Sequence, residues 1–254
     1  MSKKIIAIGG GENGRFLEDG TQTLYETEKI DKEIVNVTGK KNPNFLFLAH
    51  AMCFSDEIQQ SYYETMRKIY GGKYGCDCKI LKASDLNNKK YVNKLIDWAD
   101  IIYEGGGDTN AMIKLWKENE FDILLKKAWQ NGKVICGISA GAVCWFNSCN
   151  SDIEELGFEI IECLNWIDIF VTPHCNEKGR YESSKKQLKE KKCLGLMLSN
   201  CSAIEIIDDK FKIICCDEKG YSLKCYWKNN KFYEERLEES AEFKTFNEVF
   251  NINN

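Results

Sequence analysis

The stretch Gly137-Ile138-Ser139-Ala140-Gly141 constrains this chain more than any other. It follows an apolar run, Lys133 to Cys136, that reads as a buried strand. It precedes Ala142-Val143-Cys144-Trp145-Phe146, which reads as the start of a buried helix. A serine between two glycines at a strand-to-helix junction is the pattern of a nucleophile elbow. The turn is tight enough to require glycine on either side, and it pushes the serine Oγ out to where a substrate can reach it. The helix N-terminus behind it offers free backbone N–H groups and a partial positive charge. Both suit an oxyanion forming beside Ser139.

A serine hydroxyl is a weak nucleophile until a neighbouring base takes its proton. The chain has two histidines, His50 and His174. His174 closes the run Asp168-Ile169-Phe170-Val171-Thr172-Pro173-His174, and a histidine at a strand end after proline is placed to be held fixed. A third group should hold its other ring nitrogen. Asp152 is the first candidate, in the polar stretch Asn147-Ser148-Cys149-Asn150-Ser151-Asp152, with Glu154 and Glu155 as competitors. Each piece alone also has a plain structural reading. A G-x-S-x-G string arises by chance, a histidine after proline packs or faces solvent, and an aspartate in a polar loop is solvated or caps a helix. The combination favours a Ser139–His174–Asp152 triad.

Composition removes other classes of function. With 39 acidic and 35 basic residues the net charge is −4, which gives no reason to expect nucleic acid or an anionic membrane as a partner. Runs such as Lys189-Glu190-Lys191-Lys192 read as a solvated helix end. The apolar start, Ile5-Ile6-Ala7-Ile8, is too short for a signal peptide, and no run of about 18 apolar residues is present. A cytosolic location is the simplest expectation. The 13 cysteines are then read in a reducing compartment, mostly as small apolar residues in strands. Cys76-Asp77-Cys78 and Cys215-Cys216 are not C-x-x-C motifs, and zinc spacing does not appear. No metal or cofactor is expected.

Apolar runs alternate with helical periodicity through the first two thirds. The expected strands are Lys4–Gly9, Asn44–Ala51, Cys76–Ala83, Asp100–Tyr103 and Lys133–Ile138. They are largely unalternating, as parallel strands covered on both faces should be. Ser55 reads as the N-cap of a helix running to about Tyr70, with Asp56 and Glu57 in its first turn. Further helices are expected over Lys89–Ala99 and from Asp108-Thr109 through Trp116, broken near Asn119 and resuming to Trp129. This βαβ series predicts an α/β fold, a mostly parallel sheet flanked by helices, with its site at the carboxyl ends of the strands. Ala203–Ile207, Lys210–Cys215, Ser222–Trp227 and Phe232–Arg236 read as antiparallel hairpins at the C-terminal edge, turned by Asp208-Asp209 and Asn229-Asn230. No linker or repeat appears, so residues 1–254 are expected to form one domain.

Two more glycine clusters fall at strand ends. Gly105-Gly106-Gly107-Asp108-Thr109-Asn110 leads into a helix but matches neither a phosphate-binding G-x-x-x-x-G-K-[ST] loop nor a well-formed G-x-G-x-x-G. It is better read as a second oxyanion donor opposite the N–H of Ala140, or as a turn capped by Asp108 or Thr109. Gly9-Gly10-Gly11-Glu12 is read as mainly a structural turn.

Together, Ile8-Gly9-Gly10-Gly11-Glu12, Glu104-Gly105-Gly106-Gly107-Asp108-Thr109, Gly137-Ile138-Ser139-Ala140-Gly141-Ala142 and Pro173-His174 resemble the peptidase E family, serine peptidases that act as aspartyl dipeptidases. The resemblance runs from the first strand to about Ile207. Asn147–Asp152 and Glu177-Lys178-Gly179-Arg180 fit it too. It implies a class I glutamine-amidotransferase-like fold with serine where the amidotransferases carry cysteine. It also implies Ser139 as nucleophile, His174 as base, Asp152 as orienting acid, and an oxyanion hole from backbone N–H groups of Gly106 or Gly107 and Ala140. Cyanophycinase, which cuts aspartyl-arginine polymer, is a more distant relative. The chain departs from the family at Asp108, where asparagine is usual, at Glu104, where an apolar residue is commoner, and at Cys175, where an aromatic is frequent. Aspartyl specificity needs a cation, and Arg180, six residues after His174, is the candidate because a guanidinium meets a carboxylate bidentately. The expected partner is a small peptide substrate; monomer and homodimer both stay open. An esterase or amidase with the same triad and a non-catalytic amidotransferase-like binding domain are the competing functions. A cysteine-dependent amidotransferase is disfavoured, because Ser139 occupies the elbow and Cys144 lies one helical turn inside.

Overall fold

The unalternating apolar runs become parallel strands because both of their faces are covered. In β1 (Lys4–Ile8), Ile5 and Ala7 join one buried cluster while Ile6 and Ile8 join another across the sheet. The same division separates Leu46 and Leu48 from Phe45 and Phe47 in β2 (Asn44–Leu48). In this computed structural model, residues 1–15, 17, 19–52, 55–153 and 157–250 are described.

The remaining elements follow in chain order. After β1 comes α1 (Glu28–Asn36), then β2, α2 (Asp56–Arg67), β3 (Asp77–Leu81), α3 (Lys89–Trp98) and β4 (Ile101–Glu104). Next are α4 (Thr109–Glu118), α5 (Phe121–Gln130), β5 (Val134–Ile138), the single turn α6 (Ala140–Val143), β6 (Phe146–Ile153), β7 (Gly157–Glu162) and β8 (Ile167–Thr172). The chain ends with α7 (Arg180–Lys191), β9 (Gly195–Leu198), β10 (Ser202–Ile207), β11 (Lys210–Cys215), β12 (Ser222–Lys228), β13 (Lys231–Leu237), β14 (Lys244–Thr245) and α8 (Phe246–Phe250). The helix ends obey local rules. Ser55 Oγ accepts the Ile58 N–H at 3.3 Å, and Asp108 Oδ1 accepts the Ala111 N–H at 2.9 Å, so both residues are N-caps. The expected break near Asn119 occurs at Glu120, which takes φ 58°.

The fold is α/β, with sheets flanked by helices. The main sheet has the order β14-β11-β10-β1-β5-β4-β2-β3. Strands β1, β5, β4, β2 and β3 are parallel, and β10, β11 and β14 extend the sheet antiparallel. A second sheet, ordered β13-β12-β9-β8-β6-β7, was not expected from the sequence. The β10–β11 hairpin joins the main sheet as expected, whereas β12–β13 joins the second. The reason lies beyond Ser139. The expected buried helix there lasts one turn, and the polar stretch Asn147–Asp152 is strand, not loop. Its inward Asn150 donates to Gln187 Oε1 at 2.8 Å and to Ser183 Oγ at 3.1 Å, both on α7. A polar strand face buried this way satisfies its groups without looking like a strand in hydropathy. Among the described residues, no helix is long and apolar enough to cross a membrane.

Candidate active site

The parallel strands deliver β5 to the site, and Ser139 follows its last residue. Ser139 has φ 54° and ψ −116°, a conformation held because the elbow is wedged against β4. A Cβ on Gly137 would lie 2.5 Å from both Gly141 O and Glu104 O, and one on Gly141 would lie 2.2 Å from Glu104 O. Both glycines of the motif are therefore close-approach positions. The Gly141 N–H also donates to Gly105 O at 3.1 Å, tying the elbow to the second glycine run.

His174 lies just past β8 with φ 50° and is one-fifth exposed. Its Nε2 is 2.9 Å from Ser139 Oγ. Its Nδ1 is 2.6 Å from Asn200 Oδ1 and 3.3 Å from Glu177 Oε1. An amide oxygen and a carboxylate only accept, so the proton belongs on Nδ1 and the Nε2 lone pair faces the serine. Asn200 is itself oriented. Its Nδ2 donates to Glu177 Oε1 at 3.2 Å, and its backbone N–H donates to Asn176 Oδ1 at 2.8 Å.

Asp152 is not at His174 Nδ1, which corrects the expected third member. Strand β6 carries Asp152 to the cleft wall, where Oδ1 accepts from Arg180 Nη2 at 2.9 Å and the side chain stays 74% exposed. Partial burial pushes this carboxyl up, but the charge and hydrogen bond of Arg180 hold it below its ordinary value. Glu154 and Glu155 lie outside the described residues. Arg180, the first residue of α7, is 3% exposed. Its Nη1 donates to Asn150 Oδ1 at 3.2 Å, and its guanidinium lies 4.7 Å over the Phe158 ring. The fold thus brings Ser139, His174 and Arg180 to one cleft but commits the guanidinium to Asp152.

The other histidine belongs to the core. His50 Nε2 donates to Leu81 O at 2.9 Å and Nδ1 accepts from Trp116 Nε1 at 2.8 Å. Burial pulls its pKa down to about 4. Cys144 is buried as well, and burial pushes its thiol well above the ordinary range, away from the reactive thiolate.

The first glycine run is more than a turn. Three consecutive carbonyls at the end of β1 hold the three parts of the site. Ile8 O accepts the Ser139 N–H at 3.0 Å, Gly9 O the His174 N–H at 3.0 Å, and Gly10 O the Cys201 N–H at 2.9 Å. A Cβ on Gly10 would lie 2.2 Å from His174 Nδ1 and 2.1 Å from Asn200 Oδ1. The missing side chain is the space in which the histidine meets its asparagine. Sequence reasoning also missed Asn200, whose signal is weak: one polar residue in a strand-to-strand turn.

Opposite Ser139 sits the second glycine run. A Cβ on Gly106 would touch Ser139 Cβ at 3.4 Å, and Gly107 is pressed against Ala51 O. Asp108 turns its carboxylate to the helix it caps. Glu104 points into the protein and is fully buried. The cleft above Ser139 and His174 has a volume of about 760 Å³, and among the described residues its charged lining comes from Asp108, Asp152, Glu159, Glu177 and Arg180. Among the described residues, no group of three or more His, Cys, Asp and Glu side chains is arranged to hold a metal ion.

A sequence model of peptidase family S51 matches residues 16–214. The chain is 30% identical over 215 residues to the uncharacterized peptidase YgaJ of Bacillus subtilis (strain 168), covering 82% of this chain and 85% of that one. It is similar in structure to a peptidase from an acI-B1 Actinobacterium, with TM-score 0.71 and 19% identity over 97% of this chain and 98% of that one. A putative peptidase E protein from Listeria monocytogenes EGD-e aligns with TM-score 0.55 and 16% identity, over 94% and 100% of the two chains.

Proposed function

Because this chain belongs to peptidase family S51, and so is a serine-type peptidase, we propose that Ser139 is its nucleophile and His174 its general base, acting on short peptides. The observation that carries the assignment is the 2.9 Å contact from His174 Nε2 to Ser139 Oγ, with Nδ1 held by an acceptor. Ser139 Oγ attacks the peptide carbonyl as its proton passes to Nε2. The tetrahedral oxyanion is met by the Ala140 N–H and the N–H of Gly106 or Gly107. The imidazolium then protonates the leaving amine, and water hydrolyses the acyl-enzyme by the reverse path. Asn200 holds the productive tautomer. Glu177, a carboxylate 3.3 Å from Nδ1, stabilises the imidazolium in place of Asp152. The test is labelling by a fluorophosphonate probe followed by peptide mapping. The adduct is expected on Ser139; an adduct only on another residue refutes the assignment.

The volume of the cleft suits a dipeptide or slightly longer chain. Arg180 remains the contact for an acidic first residue, but Asp152 already occupies it. An aspartyl substrate must displace or share that partner amid the other cleft carboxylates. Removing the competing charge while keeping the hydrogen bond acceptor should therefore favour acidic substrates. Asp152→Asn is expected to raise the ratio of kcat/KM for Asp-Xaa over Ala-Xaa dipeptides roughly three- to tenfold, the worth of about 1 kcal/mol. A ratio that is unchanged or lower removes Arg180 as the specificity contact.

A further inference from the structure

Glu104 is a buried acid for which the chemistry above has no use. It ends β4, is fully buried, and has one carboxyl oxygen, Oε2, without a hydrogen-bond partner among the described residues. Burial drives its pKa well above the usual carboxylate range, favouring the neutral acid. An apolar side chain would fill the same space without that desolvation cost. What the carboxyl adds is backbone contact: Oε1 accepts the Ala51 N–H at 3.1 Å, and the neighbouring His50 and Gly105 amides also favour the ionised form.

Ala51 is also bound on its C-terminal side, through the next peptide unit. Its carbonyl accepts the Asp108 N–H at 2.7 Å. Gly107 lies so close to that carbonyl that a Cβ there would come within 2.0 Å of the oxygen. The start of this loop is anchored at Gly105, whose N–H donates to Leu48 O at 2.9 Å and whose carbonyl accepts the Gly141 N–H at 3.1 Å. Ala51 is thus the plate against which Gly106 and Gly107 are set, and Glu104 bolts that plate to the end of β4.

We propose that Glu104 is a positioning residue, which holds the Ala51 N–H, so fixes the backbone of the residue whose carbonyl seats Gly107 and Asp108, and thereby fixes the Gly106–Gly107 amides where the oxyanion forms. This rests on the serine-peptidase reading of the site. An oxyanion donor acts in the transition state and hardly at all on bound substrate. A loosened loop should therefore lower the rate of attack at Ser139 and leave KM nearly unchanged.

The experiment compares Glu104→Gln with Glu104→Met, two side chains of similar length. Gln keeps an oxygen for the Ala51 N–H and Met does not. The readouts are the second-order rate of fluorophosphonate labelling at Ser139, kcat and KM on a dipeptide, and the unfolding midpoint. Glu104→Gln is expected within about threefold of the parent rate, and Glu104→Met about ten- to a hundredfold slower in labelling and kcat, with KM moved less than about twofold. Equal rates for the two variants, or a loss confined to KM, overturn the proposal while leaving the nucleophile in place. A Met variant slowed only in proportion to its unfolded fraction overturns it too. Failure of the parent protein to label at Ser139 would instead strike the reading on which it rests.

Discussion

Ser139→Ala and His174→Ala should each lower kcat/KM on a peptide substrate by on the order of 10^4- to 10^6-fold, and the double variant should lose little more. The two side chains act as one unit: without the base the hydroxyl keeps its proton, and without the hydroxyl the base has nothing to activate. The residual rate comes from the oxyanion donors and binding alone. The fold should survive. Removing one partly exposed hydroxyl costs little stability, and the elbow is held by backbone bonds that alanine keeps, such as the Ser139 N–H on Ile8 O at 3.0 Å. The strain at φ 54° gives a further discriminating result. Alanine inherits that strain and glycine relieves it. Ser139→Gly should therefore be as inactive as Ser139→Ala yet more stable by about 1 kcal/mol in denaturant unfolding. A Ser139→Ala protein that retains more than a hundredth of the parental rate would exclude Ser139 as nucleophile. Glycine and alanine variants of equal stability would exclude strain at the elbow.

The elements that the sequence revealed are those whose information is local. Strands β1, β2, β4 and β5 are largely apolar runs with both faces buried, whereas β3, at the sheet edge, buries fully only Leu81. The hairpin turns announce themselves through Asp208, Asn229 and Asn230, which adopt positive φ. Ser139 is legible because the serine and its two flanking glycines form a local five-residue string, although the close approach that requires both glycines is to Glu104 O on β4. Strand β6 was hidden because its inward polar groups find partners on α7, some 30 residues later, and no local pattern encodes that. The orienting group of His174 was hidden for the same reason. Asp152 is closer in sequence to the nucleophile and carries the charge a triad favours, but β6 places it beside Arg180. Asn200 reaches the ring through the turn between β9 and β10. A glycine's role as empty space is likewise invisible until the side chains that use the space are known.

Gly10 makes that last point testable. Gly10→Ala should lower kcat on a peptide by about 10^2- to 10^3-fold with KM changed far less, although the substitution adds a single methyl group and removes no catalytic group. The added Cβ would fall 2.2 Å from His174 Nδ1 and 2.1 Å from Asn200 Oδ1, distances at which something must move. Neither neighbour yields freely. The histidine is fixed by its N–H on Gly9 O and its Nε2 contact with Ser139, and the Asn200 backbone is fixed by Asn176. The methyl must therefore wedge the 2.6 Å bond between ring and amide apart, so that the proton is no longer held on Nδ1 and the ring is free to turn from the serine. The packing strain should cost about 1–3 kcal/mol of stability, a loss that thermal unfolding measures separately. A double-mutant cycle separates displacement of Asn200 from general damage. In an Asn200→Ala background most of what Gly10→Ala can break is already broken, so its effect on kcat should shrink at least several-fold. Additive losses across the cycle, or a Gly10→Ala protein with parental kcat, would mean that the glycine run does not set the geometry of the base.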